Sequence, residues 1–234
     1  MRTKRFSGRP AAAARVRTAE DLFDYVPPRA RARLQALWDR WPALTDEPIR
    51  IRFRPSLWAR RGKLRSRAPG VEVHAASFLR RRVIVLEAAL LGQPAEMARI
   101  LAHELSHFIW FRLANAVRGG WEQLLRQEWE AGARGELGFS SQGRKQALRS
   151  HDAEQRTRRW REYVCESFCD TAAYWALRQR HAEFSLEQPW RKKRAAWFNR
   201  LVRSDAMLAR QQRRGGRRAM VFLAQAPHPP IIEA

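Results

Sequence analysis

The chain of 234 residues has few cysteines and no long apolar run. Cys165 and Cys169 are its only cysteines. They are four residues apart on a predicted helix, a spacing that does not close the kind of loop that a disulfide bond normally closes. The most apolar stretch, residues 97–114, contains several charged and histidine side chains and is too polar for a membrane helix. The basic N-terminus lacks the apolar core of a signal peptide. We therefore expect a soluble cytoplasmic protein that does not enter a membrane.

Acidic residues are scarce relative to basic ones. The chain has 46 Lys and Arg against 23 Asp and Glu, a formal net charge of +23, and only five of the cations are lysine. This charge favours a nucleic acid or an acidic protein as a partner, because arginine pairs well with phosphate. It is also typical of a generally basic, solvated surface. Charge alone therefore does not name a function.

Charge and hydropathy divide the chain into three parts. Residues 1–17 are predicted to be a basic flexible arm, because they carry several cations and no acid. Residues 18–213 contain the periodic apolar segments and are predicted to form a single domain. Residues 214–234 are predicted to be a C-terminal tail that is either a short strand or extended.

Three strands are predicted in the first half of the domain. Isoleucine and phenylalanine alternate with arginine over 49–54, which is the pattern of a half-buried strand. The segments 71–77 and 83–90 are apolar and rich in β-branched residues. The basic stretch 59–70 is predicted to be a loop.

Helices are predicted from residue 95 onward. The first covers 95–117 and ends near Gly119 and Gly120, and the second ends near Gly132. Residues 132–150 are predicted to be a polar loop, and 152–181 a long helix. A last helix has an apolar stripe and a basic face: Trp190, Trp197, Leu201 and Leu208 on the stripe, and Arg191, Lys192, Lys193 and Arg194 on the face. The predicted fold class is α+β, a small sheet followed by a mainly helical C-terminal half.

His103, Glu104 and His107 form an HExxH sequence on the first predicted helix. Positions i and i+4 share a helix face, so both imidazoles can bind one metal ion while Glu104 lies beside its open position. The surrounding residues are apolar enough to bury all three side chains, and buried ionisable groups need partners. A zinc ion supplies one partner for all three. The alternative is a pair of hydrogen-bonded core histidines.

A catalytic zinc normally has three protein ligands and keeps a fourth position for water, so a third ligand is required. Glu166 is the preferred candidate because it lies in the least polar setting among the downstream acids, with Asp170 one helical turn later. Two buried carboxylates repel each other unless cations hold them. A zinc ion bound to Glu166, together with a zinc-binding histidine that is hydrogen-bonded to Asp170, would offset that repulsion. Glu162 and His151 are the alternative third ligands.

These motifs resemble those of the gluzincin metallopeptidases, the thermolysin-like family, in which HExxH on one helix is followed by ExxxD on a later helix. Residues 103–107 match the first motif and Glu166-Ser167-Phe168-Cys169-Asp170 matches the second. The resemblance covers roughly residues 49–181 and implies Glu166 as third zinc ligand, Asp170 as the residue that orients a zinc-binding histidine, and a small zincin-type sheet before the active-site helix. The chain departs from the family at Cys165, where asparagine is common, and in the long interval between the two motifs.

The resemblance implies zinc-dependent hydrolysis of peptide bonds. Zinc would lower the pKa of a bound water and polarise the scissile carbonyl, while Glu104 takes the proton and passes it to the leaving amine. The oxyanion needs a further donor, for which the sequence offers Tyr163, Tyr174, His151 and His181. The sequence does not distinguish among these four.

Two functions of different classes fit the sequence. The first is a zinc metallopeptidase that holds an extended peptide along one strand edge of the pair at 71–90, with the loop at 132–150 over its site. The second is a basic nucleic-acid-binding or regulatory protein whose zinc is structural or whose site is inactive. Its candidate surface is the cation-rich segment 191–218.

Overall fold

A computed structural model describes residues 14–16, 49–61, 63–177, 181–203 and 221–225. In these ranges the protein has α+β structure, with a mixed β-sheet formed mainly by the first half of the chain and helices after it. The predicted α+β class is confirmed at this level. The predicted arm at 1–17 and tail at 214–234 lie outside the described residues except for one short strand in each, and so does Leu208.

The described sheet has seven strands: β1 Ala14–Val16, β2 Ile49–Arg54, β3 Trp58–Arg60, β4 Lys63–Arg65, β5 Val71–Phe78, β6 Val83–Glu87 and β7 Val221–Gln225. Their order is β1-β2-β6-β5-β3-β4, and β7 also pairs with β5. Strand β6 is parallel to β2 and antiparallel to β5, which makes the sheet mixed. The predicted strands at 49–54, 71–77 and 83–90 are confirmed, although the last ends at Glu87 and a 3-10 helix follows it.

The burial of β6 explains its continuous apolar sequence. Ile84 and Leu86 join the main core with the helices, whereas Val83 and Val85 join a smaller cluster on the other face. A strand covered on both faces has no reason to alternate apolar and polar residues. The prediction of a loop at 59–70 is wrong in part, because β3 and β4 form a small hairpin there that packs on this second cluster.

Six helices follow in the described ranges: α1 Pro94–Arg112, α2 Asn115–Glu130, α3 Phe139–Gln146, α4 Ser150–Glu154, α5 Arg158–Leu177 and α6 Gln188–Arg203. Helices α1 and α5 pack extensively against each other. Around their contact, an aromatic cluster of Trp110, Trp121, Phe168 and Phe198 fills the core. None of the helices in the described part has the length and hydropathy needed to cross a membrane.

Two predicted helices are divided in the structure. The helix predicted over 95–117 ends at Arg112 because the fully buried Leu113 has extended backbone, and Gly119 and Gly120 lie inside α2. The long helix predicted over 152–181 is interrupted at Arg156, whose φ of 53° is left-handed. Thr157 then accepts a hydrogen bond from the Trp160 backbone at 3.4 Å, which stabilises the start of α5. The cause in both places is local backbone conformation.

Candidate metal centre

The packing of α1 on α5 brings the two sequence motifs together. His103, Glu104 and His107 of α1 and Glu166 and Asp170 of α5 are all at most 3% exposed. From Met97 to Trp110, every residue of α1 except Arg99 is buried, because this helix lies between the sheet and the later helices. The five residues predicted from HExxH and ExxxD therefore form one buried cluster.

His103 is held between the two carboxylates of α5. Its Nδ1 lies 2.6 Å from Asp170 Oδ1, and its Nε2 lies 3.2 Å from Glu166 Oε2. Two ligands of a tetrahedral zinc, each 2.0–2.1 Å from the ion, are about 3.3 Å apart. The spacing of His103 Nε2 and Glu166 Oε2 fits two ligands of one zinc ion, while Asp170 holds the other nitrogen.

Several buried polar atoms in this cluster lack hydrogen bonds. His103 Nε2, Glu104 Oε1 and both carboxylate oxygens of Glu166 are buried and have no hydrogen-bond partner among the described residues. Glu166 Oε1 does lie 3.2 Å from Arg144 Nη2, an ion-pair distance without hydrogen-bond alignment. Buried polar atoms without partners are rare and costly. A cation bound between His103 and Glu166 would remove this cost.

The pKa values of Glu166, Asp170 and His107 fit anionic and neutral metal ligands, whereas the carboxylates of Asp170 and Glu166 outweigh burial and raise the pKa of His103 well above its usual value. Burial raises the pKa of Glu166, but Arg144 and His103 outweigh burial and hold it below its usual value. Burial likewise opposes ionisation of Asp170, yet His103 and Ser141 lower its pKa to about 2. Burial lowers the pKa of His107 to about 3, so this imidazole is neutral at pH 7. Two carboxylates and a neutral imidazole are thus available at one place.

Glu104 is positioned from the sheet. The hydroxyl of Ser77, a fully buried residue of β5, donates a short hydrogen bond to Glu104 Oε2. Burial raises the pKa of Glu104 to about 7, although His103 and Ser77 oppose that shift. A carboxylate with a pKa near neutrality is in the range suited to a general base. The role of Ser77 has no signal in the sequence, because it depends on the packing of β5 against α1.

The segment 132–150 lies over the cluster, but it is not the loop predicted from its sequence. It contains α3, and Ser141 at the start of that helix donates from its backbone N–H and its hydroxyl to Asp170 Oδ2, at 2.9 and 2.7 Å. Gly138 lies so close that a β-carbon there would be 2.3–2.5 Å from the Asp170 carboxylate. Sequence reasoning missed Gly138, Ser141 and Arg144, because no motif marks this polar stretch.

The alternative third ligands lie apart from the cluster. Glu162 lies 2.6 Å from Arg158 on the same helix, and its side chain is 25% exposed. His151 of α4 is exposed and lies 3.9 Å from Asp152. Neither residue contacts the buried cluster, whereas Glu166 lies inside it. The geometry therefore favours Glu166 among the three candidates.

The candidate oxyanion donors are dispersed. The hydroxyl of Tyr163 donates to Glu136 at 2.6 Å in a different buried network. The Tyr174 ring packs edge-on against Phe184, with 5.1 Å between ring centroids. His181 Nε2 lies 3.1 Å from Glu96 Oε2. Each of these three side chains therefore has a partner outside the HExxH motif.

A small cavity of about 20 Å³, room for about one water molecule, lies beside His103. It lies between β5, α1 and the start of α3, and its lining includes His74, Arg99, Phe139 and Glu183. His74 is 2.7 Å from Glu87, and Arg99 is 2.9 Å from Glu183, so the charged groups of the lining have partners. This water-sized space lies against His103 and Asp170 of the cluster.

A second group of possible metal ligands shares the two histidines. Ligand atoms of His103, His107 and Cys169 lie within 4.8 Å of one another. The Cys169 sulfur, however, lies 3.2 Å from His107 Nδ1, whereas Glu166 lies at His103 Nε2. Because Asp170 is hydrogen-bonded to His103 Nδ1, an ion bound to His103 must lie on the Nε2 side. We therefore retain Glu166 as the preferred third ligand.

The basic face predicted on the last helix needs one correction. Arg194 does not face solvent: it is fully buried, and its guanidinium lies 2.7 Å from Glu136 and also pairs with Glu128. It is the only Lys or Arg that is buried in the described ranges. Eight acidic side chains are buried there: Glu104, Glu122, Glu128, Glu136, Asp152, Glu166, Asp170 and Glu183.

Comparison of the chain with protein-family models, with curated proteins and with solved structures gives no match. The two motifs and the geometry around them are therefore what bears on its function.

Proposed function

We propose that this chain is a zinc metallopeptidase, a Zn²⁺-dependent hydrolase of peptide bonds. The observation that carries the proposal is the spacing of His103 Nε2 and Glu166 Oε2, two buried atoms without hydrogen bonds that lie 3.2 Å apart beside the HExxH helix. Zinc fits this donor set, because it is bound by imidazole nitrogen and carboxylate oxygen in tetrahedral sites. His103, His107 and Glu166 would hold it.

Each residue of the site has a separate role in the proposed hydrolysis. When bound, zinc supplies Lewis-acid activation of a water molecule and of the scissile carbonyl. Glu104 takes the proton of the attacking water at Oε1 and delivers it to the leaving amine nitrogen, while Ser77 holds Oε2. Asp170 fixes the ring of His103, and Ser141 fixes Asp170. The two free cysteines, Cys165 and Cys169, are consistent with work in the reducing cytoplasm.

Removal of the metal tests this proposal. Treatment of the zinc-loaded chain with 1,10-phenanthroline is expected to reduce cleavage of fluorescein-labelled casein to the background rate, because Glu104 has no activated water to deprotonate without the ion. One equivalent of Zn²⁺, added after the chelator is dialysed away, should restore cleavage, and one equivalent of Mg²⁺ should not, because Mg²⁺ prefers oxygen ligands. Cleavage that continues at the same rate in the chelated protein would contradict the proposal.

A further inference from the structure

The second histidine of the HExxH sequence has an unusual neighbour. His107 Nδ1 lies 3.2 Å from the sulfur of Cys169 and 3.7 Å from that of Cys165. Both cysteines are buried on α5, on either side of Glu166. The corresponding atom of His103 instead bonds to the carboxylate of Asp170. The two histidines are thus held by groups of different chemistry.

The contact at Nδ1 decides which nitrogen of His107 can bind a metal. A neutral imidazole carries one N–H, and a metal ligand must offer a nitrogen with a free lone pair. Histidine ligands usually donate the other N–H to a carboxylate, a carbonyl or water, which fixes the tautomer and the ring orientation. At His107, the group in contact with Nδ1 is instead the sulfur of Cys169.

We propose that Cys169 is a positioning residue for the metal: its sulfur accepts the Nδ1–H of His107 and thereby directs His107 Nε2 toward the ion. The proposal rests on the proposed zinc site. Both thiols are buried, and the Cys169 sulfur lies 3.2 Å from His107 Nδ1. Cys165, at 3.7 Å, is the more distant sulfur and supports Cys169.

Cobalt binding tests the role of Cys169 without any substrate. We would titrate Co²⁺ into the metal-free full-length wild type, Cys169→Ala, Cys169→Ser and the matched control Cys165→Ala. Cys169→Ala should weaken Co²⁺ binding about 10–100-fold, the usual effect of losing a partner of a histidine ligand. Cys169→Ser keeps an acceptor and should stay within about threefold of wild type, as should Cys165→Ala. Thermal unfolding of each metal-free variant separates loss of affinity from loss of folding.

The cobalt spectrum separates positioning from ligation. The wild-type Co²⁺ protein should lack a thiolate-to-cobalt charge-transfer band, because the sulfur contacts the imidazole and not the ion. Such a band, lost in Cys169→Ser, would overturn the proposal and make Cys169 a direct ligand. Cys169→Ala that folds and binds Co²⁺ as tightly as wild type would also overturn it. A wild type that takes up no Co²⁺ would contradict the proposed zinc site itself.

A second and independent observation concerns the edge of β5. Over Ala75–Phe78, β5 pairs with β6 on one side, and over Val73–Phe78 it pairs antiparallel with β7 on the other. Ser77, whose hydroxyl bonds to Glu104, is in register with Phe222 of β7. Strand β7 also contacts α3, the helix over the metal centre. The strand nearest Glu104 therefore has hydrogen-bonded strands on both sides.

Extended peptides commonly bind to a protein by adding a strand to an exposed sheet edge. The edge of β5 beside Glu104 is suited to this, but β7 covers it in the structure. We infer that residues 221–225 occupy the position of an extended peptide substrate and restrain the activity of the chain. This second inference also rests on the proposed function, since the edge matters only if a peptide is the substrate.

Disruption of β7 in the full-length chain tests the inference. Successive N–H groups of a strand point to opposite sides, so the double variant Phe222→Pro/Leu223→Pro removes one that faces β5. This variant should cleave fluorescein-labelled casein several-fold faster than wild type. It should also bind a fluorescent peptide with the sequence of residues 219–226 more tightly when metal-free. Ile231→Pro/Ile232→Pro, in the same tail but beyond β7, is the matched control and should behave like wild type.

Peptide binding tests occupation of the edge, and casein cleavage tests the proposed hydrolysis, so the two proposals can be contradicted separately. Equal peptide binding by wild type and by the β7 variant, with both folded in thermal unfolding, would overturn occupation of the edge. Tighter peptide binding by the variant, without casein cleavage by any form of the chain, would support the peptide site and contradict the proposed hydrolysis.

Discussion

Glu104→Gln is expected to retain one zinc ion per chain and to lower casein cleavage by at least about two orders of magnitude. The amide has nearly the same shape as the carboxylate and still accepts the hydrogen bond of Ser77, so the buried cluster should keep its geometry. It cannot take a proton from water, which is the role proposed for Glu104. Initial rates of casein cleavage and elemental analysis of the same preparation would measure both effects.

Glu162→Gln is the matched control for this substitution. Glu162 is also a helical glutamate with an ion-pair partner, but it lies outside the candidate metal centre. The control should keep wild-type zinc content and wild-type cleavage, since partly exposed ion pairs contribute little to stability. A Glu104→Gln protein with full zinc and full activity would rule out the proposed general base.

Glu166→Ala is expected to lower zinc affinity by more than about 100-fold, beyond the range for loss of a residue that only orients a ligand. The substitution removes the carboxylate that lies 3.2 Å from His103 Nε2, and it also leaves Arg144 without its buried acidic partner. Elemental analysis after dialysis against a weak chelator should find one zinc in the wild type and little in the variant. This measurement needs no knowledge of the substrate.

Glu162→Ala serves as the control for Glu166→Ala, because it truncates the neighbouring acid one helical turn earlier. Its zinc content should equal that of the wild type. Retention of zinc in Glu166→Ala would contradict the ligand assignment and favour the alternative group of His103, His107 and Cys169. Loss of zinc in both variants, with loss of helical structure, would point to a folding defect instead.

The cluster of HExxH and ExxxD could be predicted because helical geometry is local. A spacing of four places His103 and His107 on one face, and the same spacing places Glu166 and Asp170 on one face. The apolar residues around both motifs predicted that these faces would be buried. The strands could be predicted for a similar reason, since alternation at 49–54 and continuous hydrophobicity at 83–87 reflect burial on one face and on two.

The rest of the site depends on contacts that no local pattern records. Ser77 reaches Glu104 from a strand, and Gly138 and Ser141 reach Asp170 from a segment that is simply polar in sequence. The sequence predicts that Arg194 lies on a solvated face, because its neighbours in sequence are cations, but Arg194 is buried. Its buried partners, Glu128 and Glu136, come from distant parts of the chain. Tertiary packing decides these contacts.

Within the part of the chain that the structure describes, Arg194 is the one buried cation and eight acids are buried, which has a consequence for the outside of the molecule. Folding withdraws carboxylates from the surface of the described part and leaves almost all of its arginines and lysines there. The surface of this part therefore carries a larger excess of cations over acids than its composition suggests, and the influence of these cations falls off over about 8 Å at physiological ionic strength. Approach of an acidic molecule should slow as salt is added. The candidate metal centre, whose five motif residues are buried, should respond far less.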